Sequence, residues 1–299
     1  MASQHVSLRA VGLILSATLL FVTLDALMKQ LSRYYNVPFL VWVRYAIQAM
    51  LMAIWLMPKR GAGIVRTRNP RLQILRGALL TASSLAFFGA LKYLPLAEAV
   101  ALNYLAPLVV ILLSTLFLGE RMTPPRWAML AGCLVGMLLI VRPGSSVLGP
   151  ASMLALLAAG FYGGFQVLTR RLAAEDPLVT LFFPAIVGAA GLTLVMPFLW
   201  IDTPMTWPHA AIVILCGALG TFGHYLFIHA FRAAPASALA PFTYAQLVWA
   251  TLIGWVAFGN FPDPPALVGM VVIAASGLLL AWRERQQRAG QALPPEGID

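Results

Sequence analysis

Polar groups that could bind a ligand stand inside two long apolar runs of this sequence. The stretches are ALNYLAP, residues 101–107, and ALAPFTYAQ, residues 238–246. The first contains Asn103, Tyr104 and Pro107, and a proline in a helix removes the hydrogen bond to the carbonyl four residues earlier, here that of Asn103. Polar groups in surroundings without water take partners from a neighbouring helix, a ligand or water in a cavity. The first stretch therefore predicts a polar kink that either lines a binding cavity or holds helices together.

Further polar and aromatic side chains have the three- or four-residue spacing that places them on one face of a helix. Tyr244 takes the place of Tyr104 in the second stretch, and Trp249 is the one tryptophan predicted near the middle of the membrane. Each side chain alone is also explained by helix packing, but their convergence favours a binding site. The predicted substrate-binding residues are Asn103, Tyr104, Tyr244, Gln246, Trp249, Thr81, Ser84, His224, Tyr162, Gln166 and Arg44.

Three charges lie inside apolar runs, where the cost of burying a charge makes them functional candidates. Asp25 and Lys29 are four residues apart and can pair within one helix, while Arg44 stands about seven residues into the next predicted helix. One interpretation is a structural bridge between Asp25 and Arg44. The other is that Arg44 attracts the carboxylate of a substrate at an outer gate. Asp25, Lys29 and Arg44 are accordingly predicted to form a gate or a charge pair.

The sequence contains no pattern typical of an enzyme or of a metal site. It has no HExxH, GxSxG, aspartate-rich metal motif or nucleotide-binding motif. Its two cysteines, Cys133 and Cys216, stand far apart in apolar runs, which predicts packing rather than a disulfide or metal ligation. We therefore expect no catalytic residues, no bound metal and no cofactor.

Composition indicates a polytopic membrane protein. The chain has 299 residues, of which 61% are hydrophobic and 10% charged, and its mean hydropathy is +0.85. Ten apolar stretches have about the 17 to 25 residues with which a helix crosses the bilayer. The predicted fold class is all-α integral membrane with ten transmembrane helices, at residues 9–33, 37–57, 72–92, 96–118, 126–142, 150–171, 178–200, 209–231, 237–258 and 266–283.

The net charge of +10 is interpreted as a signal of membrane topology, because cytoplasmic loops are enriched in lysine and arginine. With the N-terminus in the cytoplasm, 15 of the 20 basic residues, Arg76 among them, fall at inner ends and loops. Both termini are thus predicted to be cytoplasmic. The first apolar run is too long for a secretory signal peptide. We expect the lipid bilayer and a small molecule as partners and no nucleic acid, and a monomer and a homodimer both stay open.

The two halves of the chain repeat each other. At an offset of 140 residues, Lys92 to Pro125 matches Arg232 to Pro265, and a fainter match at offset 141 sets DALMK, residues 25–29, against QVLTR, residues 166–170. Five helices is an odd number, so the second half is inverted across the membrane. Inverted repeats are typical of transporters, which alternate access to a site between the halves. The predicted domains are five-helix repeats at residues 1–142 and 143–283 and a disordered cytosolic tail at residues 284–299.

The repeat-related segments resemble a known family. They are LKYLPLAEAVALNYLAPLVVILLSTLFLGERMTPP and FRAAPASALAPFTYAQLVWATLIGWVAFGNFPDPP, which together are similar to the paired signature of the EamA family in the drug/metabolite transporter superfamily. The second copy departs from the first at Asn260, which takes the place of Glu120, so any role of that glutamate belongs to one half. The resemblance implies a ten-helix exporter of the bacterial inner membrane with a central cavity, similar to the YddG-like amino-acid exporters.

The residues and the resemblance together predict a secondary transporter of the inner membrane. It is expected to export small amphipathic metabolites, amino acids above all, by alternating access between the inverted repeats. A multidrug or nucleoside exporter of the same fold is the alternative. An integral membrane enzyme and a non-transporting scaffold are disfavoured, because inverted symmetry serves neither.

Overall fold

The regular structure of the described residues is helical throughout. A computed structural model describes residues 8–118, 122–142, 149–172, 174–200, 204–234 and 236–291. Apart from one 3-10 turn at Gly61–Val65, it consists of α1 (Leu8–Leu31), α2 (Val37–Arg60), α3 (Pro70–Leu91), α4 (Leu96–Asn103), α5 (Ala106–Leu118), α6 (Pro124–Val141), α7 (Pro150–Arg171), α8 (Pro177–Leu199), α9 (Trp207–Ala233), α10 (Ala236–Thr243), α11 (Ala245–Phe258) and α12 (Pro264–Gln291).

Proline and short polar side chains set where the helices begin. A proline occupies the first or second position of α2, α3, α6, α7, α8 and α9, where its missing N–H costs no helical hydrogen bond. Asn36 caps α2 by accepting from the Phe39 N–H at 2.9 Å, and Asp176 caps α8 by accepting from the Leu178 N–H at 2.8 Å. These starts fix the helical register, and with it the depth of each polar side chain.

The membrane-spanning prediction is confirmed. In the described residues, nine stretches are long and apolar enough to cross a bilayer, and one of them, Leu96–Leu113, covers α4 and the beginning of α5. The ninth predicted helix, at residues 237–258, is the pair α10 and α11, which is interrupted at Tyr244 and leaves two segments that are each shorter than a full span. The architecture is therefore that of a ten-span membrane protein with two broken spans.

Both broken spans are interrupted at equivalent tyrosines. The predicted helix 96–118 is not continuous, because α4 ends at Asn103 and α5 begins at Ala106, with Tyr104 between them. Pro107 lies three residues after the first tyrosine, whereas Pro241 lies three residues before Tyr244. The predicted kink is thus an interruption of the helix at Tyr104, whose backbone stays close to helical angles, and the second half has an interruption at the repeat-related Tyr244.

The packing of the helices follows the internal repeat. The repeat relates α1 to α7, α2 to α8 and α3 to α9, and the contact of α1 with α9 is mirrored by the contact of α7 with α3. In the same way α2 packs against α9 as α8 packs against α3, and α1 against α11 as α7 against α5. Two equivalent bodies facing each other are what a two-repeat transporter requires. Which side of the membrane holds the termini stays a prediction.

The two spans that end the repeats cross each other very closely. A Cβ on Gly136 of α6 would lie 2.7 Å from the Gly269 carbonyl oxygen, and a Cβ on Gly269 of α12 would lie 2.6 Å from the Gly136 carbonyl oxygen. Glycine alone allows this reciprocal approach of two backbones, which is a common way for membrane helices to associate.

The final helix is longer than predicted. It continues to Gln291, eight residues into the segment 284–299 that was expected to be a disordered tail. The composition of this extension, with three glutamines, two arginines and one glutamate among its eight residues, explains the helix, because these residues have high helix propensity. The rest of the predicted tail, and Glu120 in the first repeat, lie outside the described residues.

Candidate functional site

The two repeat-related tyrosines meet at the helix breaks. The rings of Tyr104 and Tyr244 stack with their centroids 5.0 Å apart and an interplanar angle of 28°. The Tyr104 hydroxyl donates to the Thr243 carbonyl at 2.6 Å and lies 3.4 Å from Oε1 of Gln246. The broken α10–α11 span supplies the acceptor, because the interruption exposes a main-chain carbonyl. Tyr104, Tyr244 and Gln246 are therefore brought together, as the repeat predicts.

The hydroxyl of Tyr244 does not share that environment. A Cβ on Gly277 of α12 would overlap the Tyr244 hydroxyl oxygen, so the phenol fills the space that the missing side chain leaves. Tyr244 thus offers the face of its ring to its partner tyrosine, while its polar end packs against α12.

Two further predicted residues hold buried polar atoms without a partner. Asn103 Oδ1 and Trp249 Nε1 are shielded from solvent, and neither makes a hydrogen bond within the described residues. A buried polar atom without a partner costs free energy, and such atoms mark places where a ligand or water completes the site. Asn103 is an acceptor and Trp249 a donor on opposite repeats.

A buried guanidinium forms a second polar centre. Arg44 is 6% exposed, its guanidinium carbon lies 4.3 Å from the centroid of the Tyr45 ring, and Nη2 lies 3.4 Å from the Ser84 hydroxyl. Ser84 is in turn 2.8 Å from the Tyr45 hydroxyl. Arg44 Nε has no hydrogen-bond partner in the described residues. The cation is thus held by an aromatic face and one long contact, and it retains a free donor.

The predicted charge pairs of the first two helices are not formed. Among the described side chains, neither Arg44 nor Lys29 forms an ion pair with Asp25. Lys29 instead donates to the carbonyls of Leu91 at 2.5 Å and Leu94 at 2.7 Å. Carbonyls at a helix C-terminus lack helical donors and carry partial negative charge. Lys29 therefore binds the carbonyls at the end of α3 instead of the Asp25 carboxylate.

Two predicted residues, on α3 and α9, lie at contacts between helices. The Thr81 hydroxyl donates to the Gly77 carbonyl at 2.9 Å and packs where a Cβ on Gly188 would stand 2.9 Å away, so it lies in a helix contact. His224 Nδ1 is 2.7 Å from the Gly220 carbonyl, and its ring meets that of Phe21 edge-on with the centroids 4.9 Å apart. His224 therefore contacts its own helix and α1, and like Thr81 it lies in a helix contact in this structure.

Helix α7 contacts a buried arginine, Arg76, that was assigned to the inner helix ends and loops; the guanidinium carbon lies 4.7 Å from the centroid of the Phe165 ring. Tyr162 stacks on Phe165 with centroids 5.6 Å apart, and Gln166 lies half-buried one turn after Tyr162. Arg76, in the second turn of α3, donates to Thr169 Oγ1 at 2.7 Å and to the Thr180 carbonyl at 2.6 Å. Its guanidinium is 4% exposed, so it ties three helices together rather than marking a loop.

Sequence patterns could have revealed two residues that were not predicted. Gln48 follows Arg44 by four residues, which places both on one face of α2, and it is buried with Oε1 unpartnered in the described residues. Arg76 follows Pro70 by six residues, and a proline at the helix start already places the arginine inside the span. Both signals come from helical register rather than from any motif.

The arrangement is suited to binding a small molecule. Stacked phenols, an indole and an amide lie on the two interrupted spans, and a guanidinium and a second amide lie on α2. Among the described residues, no group of three His, Cys, Asp or Glu side chains is placed to hold a metal ion. The site therefore offers recognition by aromatic faces, hydrogen bonds and charge.

Several bacterial transporters are similar to this chain. The S-adenosylmethionine uptake transporter of Rickettsia conorii is 26% identical over 76% of this chain and 76% of its own. The pseudopaline exporter CntI of Pseudomonas aeruginosa is 29% identical over 89% and 93%, and the riboflavin transporter of Rhizobium johnstonii is 29% identical over 80% and 79%. A solved crystal structure shares the fold with a TM-score of 0.65 and 24% identity, over 93% of this chain and 98% of that one.

The model of the EamA-like transporter family matches the chain twice, at residues 8–142 and 149–282. The two matches correspond to the two packed repeats, and together they span most of the sequence. The chain therefore belongs to the EamA-like transporter family, in the drug/metabolite transporter superfamily, and is a multi-pass transporter of the bacterial inner membrane rather than an enzyme.

Proposed function

We propose that this transporter exports small amphipathic metabolites, amino acids above all, by alternating access between its inverted repeats. The observation that carries the proposal is the Arg44 guanidinium, which is buried, has an unpartnered Nε and forms no ion pair among the described residues. A guanidinium binds a carboxylate through charge-assisted, frequently bidentate hydrogen bonds. A substrate carboxylate would supply the anion that none of the described carboxylates places in contact with the guanidinium.

The aromatic and amide groups supply the other half of an amphipathic site. The stacked faces of Tyr104 and Tyr244, with the free polar atoms of Asn103 and Trp249, suit a side chain that combines apolar surface with a few hydrogen-bonding groups. The named relatives support a small-molecule substrate and include both an uptake transporter and an exporter. Export is therefore the part of the proposal that needs a direct test of direction.

An asymmetry between the repeats supports alternating access. Lys29 binds the carbonyls at the end of α3, whereas its repeat equivalent, Arg170, is exposed and makes no hydrogen bond or ion pair in the described part of the chain. The equivalent carbonyls would be those of Phe231 and Ala234 at the end of α9. One end of the molecule is thus tied by a lysine and the other is not, as expected of a transporter seen in one of two exchangeable states.

Counterflow in proteoliposomes tests the proposal. Purified protein would be reconstituted and challenged with amino acids, nucleosides and cationic drugs, and export direction would be read in inside-out vesicles. We expect amino acids to exchange, and Arg44→Ala to weaken transport of an amino acid by about tenfold or more while leaving its methyl ester nearly unchanged, because only the acid makes the charge-assisted bond. Equal loss for acid and ester would contradict carboxylate binding at Arg44.

A second candidate is an exporter of nucleosides or planar drugs. The stacked Tyr104 and Tyr244 rings favour it, because flat ring systems bind well to aromatic faces, and riboflavin is the named substrate of one relative. The same panel separates the two candidates. Exchange of nucleosides or planar cations without exchange of amino acids would establish the second.

A further inference from the structure

We infer that the structure is closed at one end by Lys29, and that Arg170 closes the opposite end in the alternate state by binding the main-chain carbonyls at the end of α9. The inference rests on the alternating access of the proposed function, but not on the identity of the substrate. The end of the molecule where α1 and α3 finish is called the closed end, and the end where α7 and α9 finish is called the open end.

These two ends lie on opposite sides of the molecule. Ala10, near the beginning of α1, packs in one apolar cluster with Ala230 and Ala234 at the end of α9, so α9 finishes where α1 begins. Glu175, which follows α7, accepts a hydrogen bond from the main-chain N–H of Arg68 at 3.1 Å, just before α3 begins. Helix α7 therefore finishes where α3 begins, and the ends of α1 and α3 are far from those of α7 and α9.

The closed end has helix contacts that the open end does not reproduce. Helix α1 contacts α3, and α4, the first half of one broken span, packs against α11, the second half of the other. The repeat relates these pairs to α7 with α9 and to α10 with α5, and neither of those pairs packs comparably among the described residues. The two repeats therefore meet at the closed end and leave the equivalent contacts unmade at the open end.

One cation ties the closed end together. Lys29 on α1 is 8% exposed and donates to the carbonyls of Leu91 at 2.5 Å and Leu94 at 2.7 Å. Its Nζ also lies 5.6 Å from the centroid of the Phe258 ring at the end of α11. A lysine near the end of a helix can bind the last carbonyls, which lack helical donors. Lys29 thus joins the ends of α1, α3 and α11.

The cation of this tie has a counterpart at the open end. Lys29 corresponds to Arg170 at an offset of 141 residues, and each lies in the last turn of its helix. Arg170 is exposed and makes no hydrogen bond or ion pair within the described residues. Its guanidinium offers five N–H donors on a long side chain. Arg170 can therefore bind the same kind of acceptor as Lys29.

The acceptors of the tie have counterparts as well. Where α3 ends, the Leu94 N–H donates to the Ala90 carbonyl at 2.9 Å. At an offset of 140 residues, where α9 ends, the Ala234 N–H donates to the Ala230 carbonyl at 3.1 Å. The two helix ends share this hydrogen bond, so they present carbonyls at equivalent positions. The acceptors for the guanidinium are the carbonyls of Phe231 and Ala234.

Inverted repeats exchange their conformations when a transporter passes to its alternate state. The hydrogen bonds of Lys29 to the end of α3 are then lost, and Arg170 makes the equivalent bonds to the end of α9. Each state therefore has one bound cation and one free cation. Because the loss of one tie accompanies the formation of the other, neither end is held closed in both states.

Two pairs of spin labels report which end is closed. One pair joins Tyr34 and Tyr93 at the closed end, and the other joins Ala174 and Ala233 at the open end. All four positions are exposed, and the labels would be attached to cysteines in a background without the two native cysteines. Distances would be measured by double electron–electron resonance. In the wild type we expect one population, with a short distance at the closed end and a long distance at the open end.

Variants then separate the two ties. Lys29→Met should create a second population, in which the Ala174–Ala233 distance is short and the Tyr34–Tyr93 distance is long. Adding Arg170→Met should reduce this second population by about tenfold, because hydrogen bonds from a charged group to two carbonyls are lost.

Two controls distinguish the tie from a general effect of charge. Arg170→Lys in the Lys29→Met protein should keep the second population, because an ammonium binds such carbonyls at the closed end. Arg66→Met should also keep it, since Arg66 is an exposed arginine before α3, at the same end of the molecule.

The failure of the inference is distinguishable from the failure of the proposed function. If Lys29→Met produces no second population, the exchange between the repeats fails, and the mechanism in the proposed function fails with it. If the second population appears but survives Arg170→Met, or is lost equally in Arg66→Met, alternating access stands and the role of Arg170 is wrong. If Lys29→Met does not fold, as judged by size-exclusion chromatography in detergent, counterflow decides: Arg170→Met alone should slow it severalfold and Arg170→Lys should not, and equal rates in both would overturn the inference.

Discussion

Tyr104 and Tyr244 occupy equivalent positions in the two repeats, and their rings stack with the centroids 5.0 Å apart. Each tyrosine stands where its span is broken, so the contact joins the two interruptions of the fold. The two repeat-related tyrosines therefore meet at the candidate site. Transport that exchanges the two repeats must act on this contact.

The hydroxyl of Tyr244 is expected to be sensitive to the residue at position 277. Gly277→Ala should displace the phenol and lower transport severalfold, because the added Cβ would overlap the hydroxyl oxygen. Adding Tyr244→Phe should restore most of the activity, because it removes the clashing atom. Counterflow with the two single variants and the double variant measures this coupling. Additive losses would contradict the contact.

Asn103 and Trp249 are expected to serve the substrate rather than the packing. Asn103→Ala and Trp249→Ala should each weaken substrate affinity by about fivefold or more, since each removes a hydrogen-bonding group worth about 1 kcal/mol. The thermal stability of Asn103→Ala should change little, because its unpartnered oxygen makes no hydrogen bond within the described residues. Trp249→Ala should also lower stability, because it removes a ring that packs against the core. Unchanged transport with lowered stability would favour packing for both residues.

Lys29 is expected to hold one side of the transporter closed. Lys29→Met removes the hydrogen bonds to the Leu91 and Leu94 carbonyls, and should increase the reactivity of a cysteine placed at Ser84 towards an impermeant thiol reagent added outside. The background would carry Cys133→Ala and Cys216→Ala. The matched control is Arg170→Met, which removes an exposed side chain that contacts no polar partner among the described residues and should leave the reactivity unchanged.

The topology is tested by single cysteines in the same background. With cytoplasmic termini, a cysteine at Arg66, before α3, should be protected from an impermeant reagent in intact cells, and one at Tyr93, after α3, should react. Both positions are exposed, so the membrane alone decides the outcome. The opposite pattern would reverse the orientation inferred from the charge distribution.

Asp263 is expected to make stability depend on pH at the acidic end. Its carboxylate accepts a hydrogen bond from the Ala266 N–H at 3.0 Å and forms an ion pair with Arg142. The hydrogen bond to Ala266 lowers the pKa of Asp263 most, and Arg142 lowers it further. Together they outweigh the small rise caused by burial, so the pKa lies below its usual value of 3.8. Because the pKa of Asp263 is lower in the folded than in the unfolded protein, its carboxylate stabilises the fold at pH values above the unfolded pKa. This stabilisation is lost as the pH falls through the folded pKa. The melting temperature in detergent should therefore fall below about pH 4.

Two variants separate the charge of Asp263 from its cap. Asp263→Asn keeps a capping oxygen and should flatten the acidic limb of the stability curve. Asp263→Ala should also lower stability by about 1 kcal/mol at neutral pH, the usual cost of losing a helix cap. An acidic limb that persists in Asp263→Asn would assign the dependence to another group.

The architecture could be predicted from the order of the amino acids. Apolar length shows the number of spans, the offset between Tyr104 and Tyr244 shows the repeat, and an odd number of spans per repeat requires inversion. Helical spacing also placed Thr81 and Ser84 on one face, because residues three apart in a helix are neighbours whatever the helix touches. These properties depend on covalent order and on the bilayer, so no tertiary contact was needed to predict them.

The tertiary structure alone decided which polar group meets which. Four-residue spacing allows Lys29 to pair with Asp25, but the packing of α1 against the end of α3 offers carbonyls that bind the lysine instead. The sequence assigns Arg76 to the inner helix ends and loops, but in the folded protein α7 and α8 supply acceptors for its guanidinium. The partner that each side chain finds depends on the distances between helices. Close contacts, such as that of Gly136 with Gly269, set these distances. Those distances arise from the packing of many side chains at once, and local sequence spacing contains no measure of them.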